Sequence, residues 1–240
     1  MISYVLSFRS YGWDYVFLAA VAFVAAVLLS VTVHEYAHGF IALRCGDTTA
    51  KDSGRLTLNP RAHFSVIGIL FFLLVGIGFA KPVPIDVANF RNPRRDIFKV
   101  SVAGVVANFI MAFISAGIMS LFLLIVGNGS ILSHKIVYYI FFLLVEFCIV
   151  SIVINIGLIA FNLIPVYPLD GFRILASFFR KRNAVLDFLA KYGMYILLAL
   201  MIIGRIFPAL DILSMYVSFI REMVFKLFGL IFPNLSTLGF

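Results

Sequence analysis

The sequence predicts an all-α polytopic membrane protein, and two observations carry this prediction. Of the 240 residues, 63% are hydrophobic and only 12% are charged, whereas a soluble globular domain carries roughly 25% charged residues. The hydrophobic residues also lie in long runs with few charges, at about 15–43, 65–80, 98–126, 136–163, 192–208 and 211–232. Because a soluble fold of this length could not bury so much apolar surface, we expect a single integral-membrane domain over residues 1–240.

The first run predicts a full transmembrane helix, and Gly46 is suited to end it in a left-handed conformation. A polar stretch follows at 47–63. Within it, Arg55–Leu58 alternate polar and apolar side chains between turn-forming residues, a pattern typical of a short strand. We therefore predict a small membrane-associated β element at about 47–63.

The second run, 65–80, would form only ~24 Å of helix, which is shorter than the ~30 Å hydrocarbon core. It is either a short span or a re-entrant segment, and the distribution of Lys and Arg distinguishes the two because cytoplasmic connections are enriched in these residues. A spanning segment with a cytoplasmic N-terminus divides them eleven to six, whereas a re-entrant segment with an outer N-terminus divides them fourteen to three. We therefore predict a re-entrant 65–80 and an N-terminus outside the cytoplasm.

The later runs predict two further spans, at 98–126 and 136–163, and additional C-terminal helices at about 185–232. The last run, 211–232, contains Arg221, Glu222 and Lys226. These charges favour an interfacial helix over a membrane span, although the sequence leaves open whether this helix spans.

Composition also excludes some classes of function. The net charge of +8 indicates membrane orientation and contact with anionic lipid, and because no basic patch is interleaved with aromatics we expect no nucleic-acid partner. The two cysteines, Cys45 and Cys148, form no C-x-x-C motif, so neither a disulfide framework nor a sulfur-ligated metal site is predicted. The sequence starts without a recognisable targeting peptide, which favours a bacterial cytoplasmic membrane.

The candidate catalytic residues lie in the motif "HEYAH" near the end of the first apolar run. This motif contains His34, Glu35 and His38. Residues spaced i, i+4 share one face of a helix, so both imidazoles can reach one zinc ion at ~2.1 Å. Glu35 lies beside the pair and is suited to act as the general base of a zinc hydrolase. An ionisable side chain near the bilayer centre costs ~2.5–3.5 kcal/mol even on the mildest scale, so packing alone explains these three residues poorly.

A catalytic zinc site uses three protein ligands and an open position, so a third ligand must come from elsewhere. His63 and His134 are candidates, but each lies in a polar connection where a solvated imidazole is ordinary. Asp170 is better placed, because Pro165 and Pro168 break the preceding helix and let the chain turn inward. Gly171 permits a close turn behind this carboxylate.

Three segments together resemble the site-2 protease family of intramembrane zinc metalloproteases, in its compact branch without a PDZ or other regulatory domain. They are "HEYAH", "AGVVAN" at 103–108 and "FNLIPVYPLDG" at 161–171. The resemblance implies one Zn²⁺ held by His34, His38 and Asp170, with Glu35 as the catalytic base. It also implies a three-helix catalytic core within about 15–175, whose middle helix runs antiparallel to the first, and a membrane-embedded sheet at the position of 47–63.

Two asparagines are candidates for transition-state or substrate support. Asn162 belongs to the active-site motif by resemblance and could donate to a developing oxyanion, whereas Asn108 could equally join helices inside the membrane. The intramembrane Glu146 and Asn155 match no motif, and their roles are left open. The Gly104-x-x-x-Asn108 spacing favours close approach of two helices.

We therefore predict an intramembrane zinc metalloprotease that hydrolyses peptide bonds within or near transmembrane segments of membrane-protein substrates, near the cytoplasmic side. Two alternatives use the same metal site. An ion transporter or channel would need polar residues distributed along several spans, and an inactive scaffold would keep a structural metal. Expected partners are a substrate with a transmembrane helix and the lipid bilayer, and a homo-oligomer or a regulatory membrane partner is left open.

Overall fold

The computed structural model describes residues 2–64, 81–126, 134–181 and 183–238. Its α-helices are α1 (Ile2–Leu6), α2 (Trp13–Cys45), α3 (Thr49–Asp52), α4 (Pro60–His63), α5 (Pro93–Val126), α6 (Lys135–Asn162), α7 (Asp170–Phe178), α8 (Ala184–Ile206) and α9 (Ile212–Ile231). Short 3₁₀ helices lie at Ser7–Ser10, Val87–Asn89, Pro208–Leu210 and Pro233–Leu238. The predicted all-α membrane architecture is confirmed, and the expected re-entrant segment at 65–80 lies outside the described residues.

Among the described residues, four helices are long and apolar enough to cross a membrane, namely Trp13–Cys45, Pro93–Ile125, Lys135–Asn162 and Ala184–Ile206. They coincide with four of the apolar runs in the sequence. The C-terminal helix α9 is not among these four. Its exposed Glu222 and Lys226 lie one turn apart, with Glu222 Oε1 3.6 Å from Lys226 Nζ. The opposite face of α9 packs Val224 and Phe228 into the core formed by α5 and α6.

The core consists of α2, α5 and α6, and polar contacts fix their directions. Asp14 and Ser30 of α2 contact Tyr139 and Asn155 of α6 respectively, so these two helices run parallel, because both pairs are separated by the same number of residues. The helix α5 runs antiparallel to α2: its Asn108 faces His34 and its earlier Val100 faces His38. The three helices therefore have the relative directions that the resemblance implies.

Small side chains allow the core helices to approach closely. On α2, Ala19, Ala22, Ala26 and Ser30 are at most 1% exposed and follow one another at helical spacing. Lipid tails are as apolar as the helices, so the hydrophobic effect does not drive helices together in a membrane. Close contact between small side chains supplies van der Waals packing energy instead. The other face of α5 is suited to contact with lipid. It carries exposed branched side chains one turn apart, namely Val106, Ile110, Ile114 and Ile118.

The connection from α2 to α5 corrects one prediction. Residues 47–63 form α3, a series of bends and α4, with no strand in this described stretch, so the predicted β element is wrong there. The N–H groups of Arg55 and Leu56 both donate to the carbonyl of Ala50, at 2.8 and 3.1 Å. These bonds fold the alternating segment back onto α3, so its backbone does not form a ladder with a partner strand.

Candidate metal centre

His34 and His38 lie on consecutive turns of α2 and face α5. Both are buried, with their ring centroids 4.6 Å apart and their Nε2 atoms 3.1 Å apart. The Nδ1–H of His38 donates to the carbonyl of Val100 at 2.7 Å, and His34 Nδ1 lies 2.8 Å from Asn108 Oδ1, an acceptor. Both outer nitrogens therefore carry the ring proton, which leaves the Nε2 lone pairs of the two rings pointing at each other.

Asp170 reaches the same point from the turn that follows α6, whose end lies at the same end of the core as the end of α2. After α6 the chain turns through Leu163–Leu169, with a cis peptide bond before Pro168, and Asp170 begins α7. Its Oδ2 atom lies 3.3 Å from His34 Nε2 and 3.1 Å from His38 Nε2. A Cβ atom on Gly171 would lie 2.5 Å from the carbonyl oxygen of Leu163, so glycine is what permits this tight return.

The donor set fits a zinc ion. Three lone-pair atoms converge, and Asp170 Oδ2 has no hydrogen-bond partner among the described residues, so a shared cation is the natural counterpart. Zinc bonded at ~2.0–2.1 Å in a tetrahedron separates its ligand atoms by ~3.3 Å. The three measured separations, 3.1, 3.3 and 3.1 Å, match this edge length.

Gly104 of α5 closes the site from a third side. A Cβ atom at this position would lie 2.5 Å from His34 Cε1 and 2.6 Å from His38 Nε2. Because any side chain here would collide with both imidazoles, glycine is required where α5 crosses α2. The Gly104-x-x-x-Asn108 spacing therefore permits close approach, as expected, and also brings Asn108 to His34.

Glu35 lies beside the ligand triangle without joining it. Its side chain is half-buried, and its Oε2 atom accepts a hydrogen bond from the backbone N–H of Val83 at 2.9 Å. Among the described residues, the other carboxylate oxygen, Oε1, forms no hydrogen bond. This arrangement is that of an H-E-x-x-H hydrolase, in which the carboxylate acts next to the metal and is not a ligand.

Comparison with known proteins agrees with this geometry. The family model "Peptidase family M50" matches residues 129–204. A Bacillus subtilis (strain 168) protein named "Putative zinc metalloprotease YwhC" is 34% identical over 217 residues, which cover 88% of this chain and 93% of that protein.

The chain belongs to peptidase family M50. A second relative, "Putative zinc metalloprotease Rip2" of Mycolicibacterium smegmatis (strain ATCC 700084 / mc(2)155), is 32% identical over 104 residues, covering 41% of this chain and 40% of that protein. No solved structure matches at a significant level. The predicted family is confirmed, and the relatives together with the ligand cluster support a zinc metalloprotease in the membrane.

Within this M50 chain, the two alternative third ligands lie elsewhere. His63 is fully buried and donates from Nε2 to the carbonyl of Thr57 at 2.8 Å, in the connection after α2. His134 precedes α6, at the end of that helix opposite to Asp170. Among the described residues, the grouping of potential metal ligands is His34, His38 and Asp170.

The two asparagines take different positions. Asn108 is fully buried and its Oδ1 is engaged by His34, while its Nδ2 has no partner among the described residues. Asn162 is half-buried near the end of α6 and donates from Nδ2 to the carbonyl of Leu158 at 3.0 Å. Asn108 therefore contacts a metal-ligand candidate directly, whereas Asn162 is bonded within its own helix.

The residues left open by the sequence are bonded away from the ligand triangle. Asn155 donates to Ser30 Oγ at 2.8 Å and also bonds Ser151, which pairs with Ser115 at 2.8 Å, so it joins the three core helices. The buried Glu146 carboxylate accepts from the hydroxyl of Tyr4 in α1, which ties the N-terminal helix to α6.

Sequence reasoning missed Asp47. This fully buried carboxylate follows α2 and accepts hydrogen bonds from Thr49 N–H (3.1 Å), Asn89 Nδ2 (3.0 Å) and Asp86 N–H (2.9 Å). Burial opposes its ionisation, but hydrogen bonds from Thr49 and Asn89 and from the backbone outweigh burial and hold the pKa of Asp47 below its usual value. The only sequence signal was its place directly after a helix-ending glycine.

Proposed function

We propose that this M50 protein is an intramembrane zinc endopeptidase that hydrolyses peptide bonds within or near transmembrane segments of membrane-protein substrates. The observation that carries the proposal is the triangle of His34 Nε2, His38 Nε2 and Asp170 Oδ2, with sides of 3.1–3.3 Å. Two of its corners are buried on α2, a helix long and apolar enough to cross a membrane. A substrate must therefore reach the site from within or beside the bilayer.

In this proposal each side chain has one role. His34, His38 and Asp170 hold one zinc ion per chain, and Asn108 and the Val100 carbonyl fix the two imidazoles with Nε2 toward the metal. A zinc ion bound there would supply Lewis acidity and would make the attacking water easier to deprotonate at neutral pH. Glu35 accepts the proton of the attacking water and returns it to the leaving amine.

Asn162 is proposed as a support for the substrate rather than for the metal. Among the described residues, one of its amide hydrogens is used, in the bond to Leu158, and its side chain is partly exposed at the end of α6, before the turn that leads to Asp170. The second hydrogen is free to donate to a substrate carbonyl, which gains negative charge during attack.

The catalytic core is proposed to span about 15–175, with α8 and α9 as accessory helices. We place the N-terminus outside and the metal centre near the cytoplasmic side of a bacterial cytoplasmic membrane. His34 lies ~28 Å of helix beyond Tyr15, and the connections at this end of the core carry most of the Lys and Arg residues. The substrate partner is a protein with a transmembrane helix.

The Glu35→Gln variant tests this function, because glutamine keeps the shape of glutamate and cannot take a proton. We expect it to retain zinc and to cleave a purified transmembrane-helix substrate in detergent roughly 10²–10⁴-fold more slowly than the parent. Glu222→Gln is the matched control, since Glu222 is exposed on α9 and pairs only loosely with Lys226. Cleavage by Glu35→Gln at the parent rate, measured by gel assay alongside metal analysis, would contradict the proposal.

A further inference from the structure

The segment before α5 is fastened to the end of α2 by the buried carboxylate of Asp47. Its Oδ2 atom accepts the backbone N–H of Asp86 at 2.9 Å, and Oδ1 accepts the side-chain amide of Asn89 at 3.0 Å. The N–H of Arg91 also donates to the carbonyl of Cys45 at 3.2 Å. Because a buried carboxylate without donors is costly, Asp47 and this segment stabilise each other.

The other end of the same segment has its own anchors. Arg55 donates from Nη2 to the carbonyl of Lys81 at 2.6 Å and to that of Pro82 at 3.3 Å. The N–H of Lys81 donates to the carbonyl of His63 at 2.7 Å. Residues 81–86 are therefore held at both ends although they contain no helix or strand.

Val83 lies between these anchors and contacts α2 through both its backbone and its side chain. Pro82 and Pro84 lack an N–H group, so Val83 carries the only backbone donor of this tripeptide, and it donates to Glu35 Oε2 at 2.9 Å. Its buried side chain packs where α2 has a glycine: a Cβ atom on Gly39 would lie 3.2 Å from Val83 Cγ1. Glu35 and Gly39 are one helical turn apart, so one face of α2 receives this segment.

We propose that Asp47 is a positioning residue for the general base, acting through the backbone from Asp86 to Val83. This inference rests on the proposed function of Glu35. A glutamate side chain has several rotatable bonds, and a fixed donor on Oε2 restricts the carboxylate to one orientation. Oε1 is then directed to the proton it must accept, and restricting a reacting group in this way before the reaction raises its rate.

The test compares Asp47→Asn with the control Asp52→Asn. Asparagine replaces one acceptor oxygen by a donor, so at least one bond to the 81–90 segment is lost. The Asp52 carboxylate is exposed and, within the described residues, accepts a hydrogen bond from the Thr48 hydroxyl alone. For Asp47→Asn we expect parent zinc content, parent KM, a roughly 10–100-fold lower kcat and faster amide hydrogen exchange in the peptide covering 81–90. The control should match the parent in all four measurements.

Parent kcat in Asp47→Asn would overturn the proposal, and so would a lower kcat accompanied by loss of zinc, because the effect would then be structural. If Asp47→Asn does not fold, Arg55→Gln gives the decision, since it loosens the same segment from its exposed end and should produce the same lower kcat with zinc retained. Glu35→Gln is measured in parallel. Full activity of Glu35→Gln overturns the proposed function, whereas its inactivity together with full activity of both segment variants overturns only the positioning role.

Discussion

At the residue scale, the orientation of each imidazole decides whether it can bind a metal. The Nδ1–H of His38 donates to the Val100 carbonyl, which no substitution removes, but the partner of His34 is a side chain, Asn108. A second contact of this kind fixes the tautomer and the ring plane of a ligand. Of these two hydrogen bonds, the one between His34 and Asn108 is therefore the one that a side-chain substitution can remove.

We predict that Asn108→Asp keeps zinc binding and Asn108→Leu weakens it roughly 10–100-fold. Aspartate keeps an acceptor for the His34 Nδ1–H. Replacing the Asn108 Nδ2 group by a carboxylate oxygen removes no hydrogen bond, because Nδ2 has no partner among the described residues. Leucine fills a similar volume without an acceptor. Competition with a chelator measures both affinities, and equal weakening in the two variants would show that the amide acts through packing alone.

The sequence predicts those residues of the site that stand in a recognisable local spacing. It misses the residues whose role depends on being buried by distant parts of the chain. The i, i+4 spacing of His34 and His38 and the proline-rich turn before Asp170 were sufficient to propose the ligands. The role of Asn108 depends on a contact between residues 74 positions apart. Asp47 lies in a polar stretch that looks solvent-exposed, and only the folded chain covers it.

At the element scale, the site depends on how closely α5 crosses α2. Buried alanine and serine residues keep the helices near each other along their length, and Gly104 removes the last side chain at the point of crossing. A helix interior disfavours glycine by about 1 kcal/mol relative to alanine. Retaining glycine here is consistent with a steric requirement that outweighs helix propensity.

We predict that Gly104→Ala abolishes zinc binding while leaving the protein folded in detergent. The added methyl group would lie 2.5–2.7 Å from ring atoms of His34 and His38, so the rings or α5 must move out of the ligand triangle. Gly157→Ala on α6 is the matched control, since among the described residues nothing outside the local backbone of its own helix lies within 4 Å of its added Cβ. Metal analysis after size-exclusion chromatography gives the comparison, and parent zinc content in Gly104→Ala would refute the steric argument.

The element that the sequence predicted wrongly shows how a short pattern can mislead. Arg55–Leu58 alternates like a strand, but a strand forms only with a partner that pairs its backbone. The carbonyl of Ala50 instead accepts from both Arg55 and Leu56. Periodicity over four residues cannot distinguish a ladder from a return to a nearby helix end, whereas the long apolar runs identified α2, α5, α6 and α8 without ambiguity.

At the scale of the whole molecule, the relative helix directions limit the topology. Because α5 is antiparallel to α2, the end of α2 and the start of α5 lie at the same end of the core, and Arg91 contacts Cys45 there. The carbonyl of His63 and the N–H of Lys81 also meet, at 2.7 Å. The flanking residues His63 and Lys81 are therefore neighbours, while the prediction of a re-entrant 65–80 stays a prediction.

The membrane orientation that we propose rests on the distribution of charge, and cysteine labelling tests it. We predict that Ser53→Cys, in the connection after α3, is protected from a membrane-impermeant thiol reagent in intact cells and is labelled once the membrane is opened. Ser10→Cys, before α2, should be labelled in intact cells. Both positions are exposed, and the native Cys45 and Cys148 are buried, so the parent protein serves as the background.

In the topology that we propose, fourteen Lys and Arg residues of the sequence are assigned to the side that carries Ser53 and three to the side that carries Ser10. Each Lys or Arg that must cross the membrane disfavours the opposite orientation, so the expected result is one-sided labelling and not a mixture. The reverse pattern would place the ligand triangle and the 81–90 segment on the outer side. In that case substrates would be cut at their outer ends, and the cytoplasmic position proposed for the active site would be wrong although the zinc chemistry would stand.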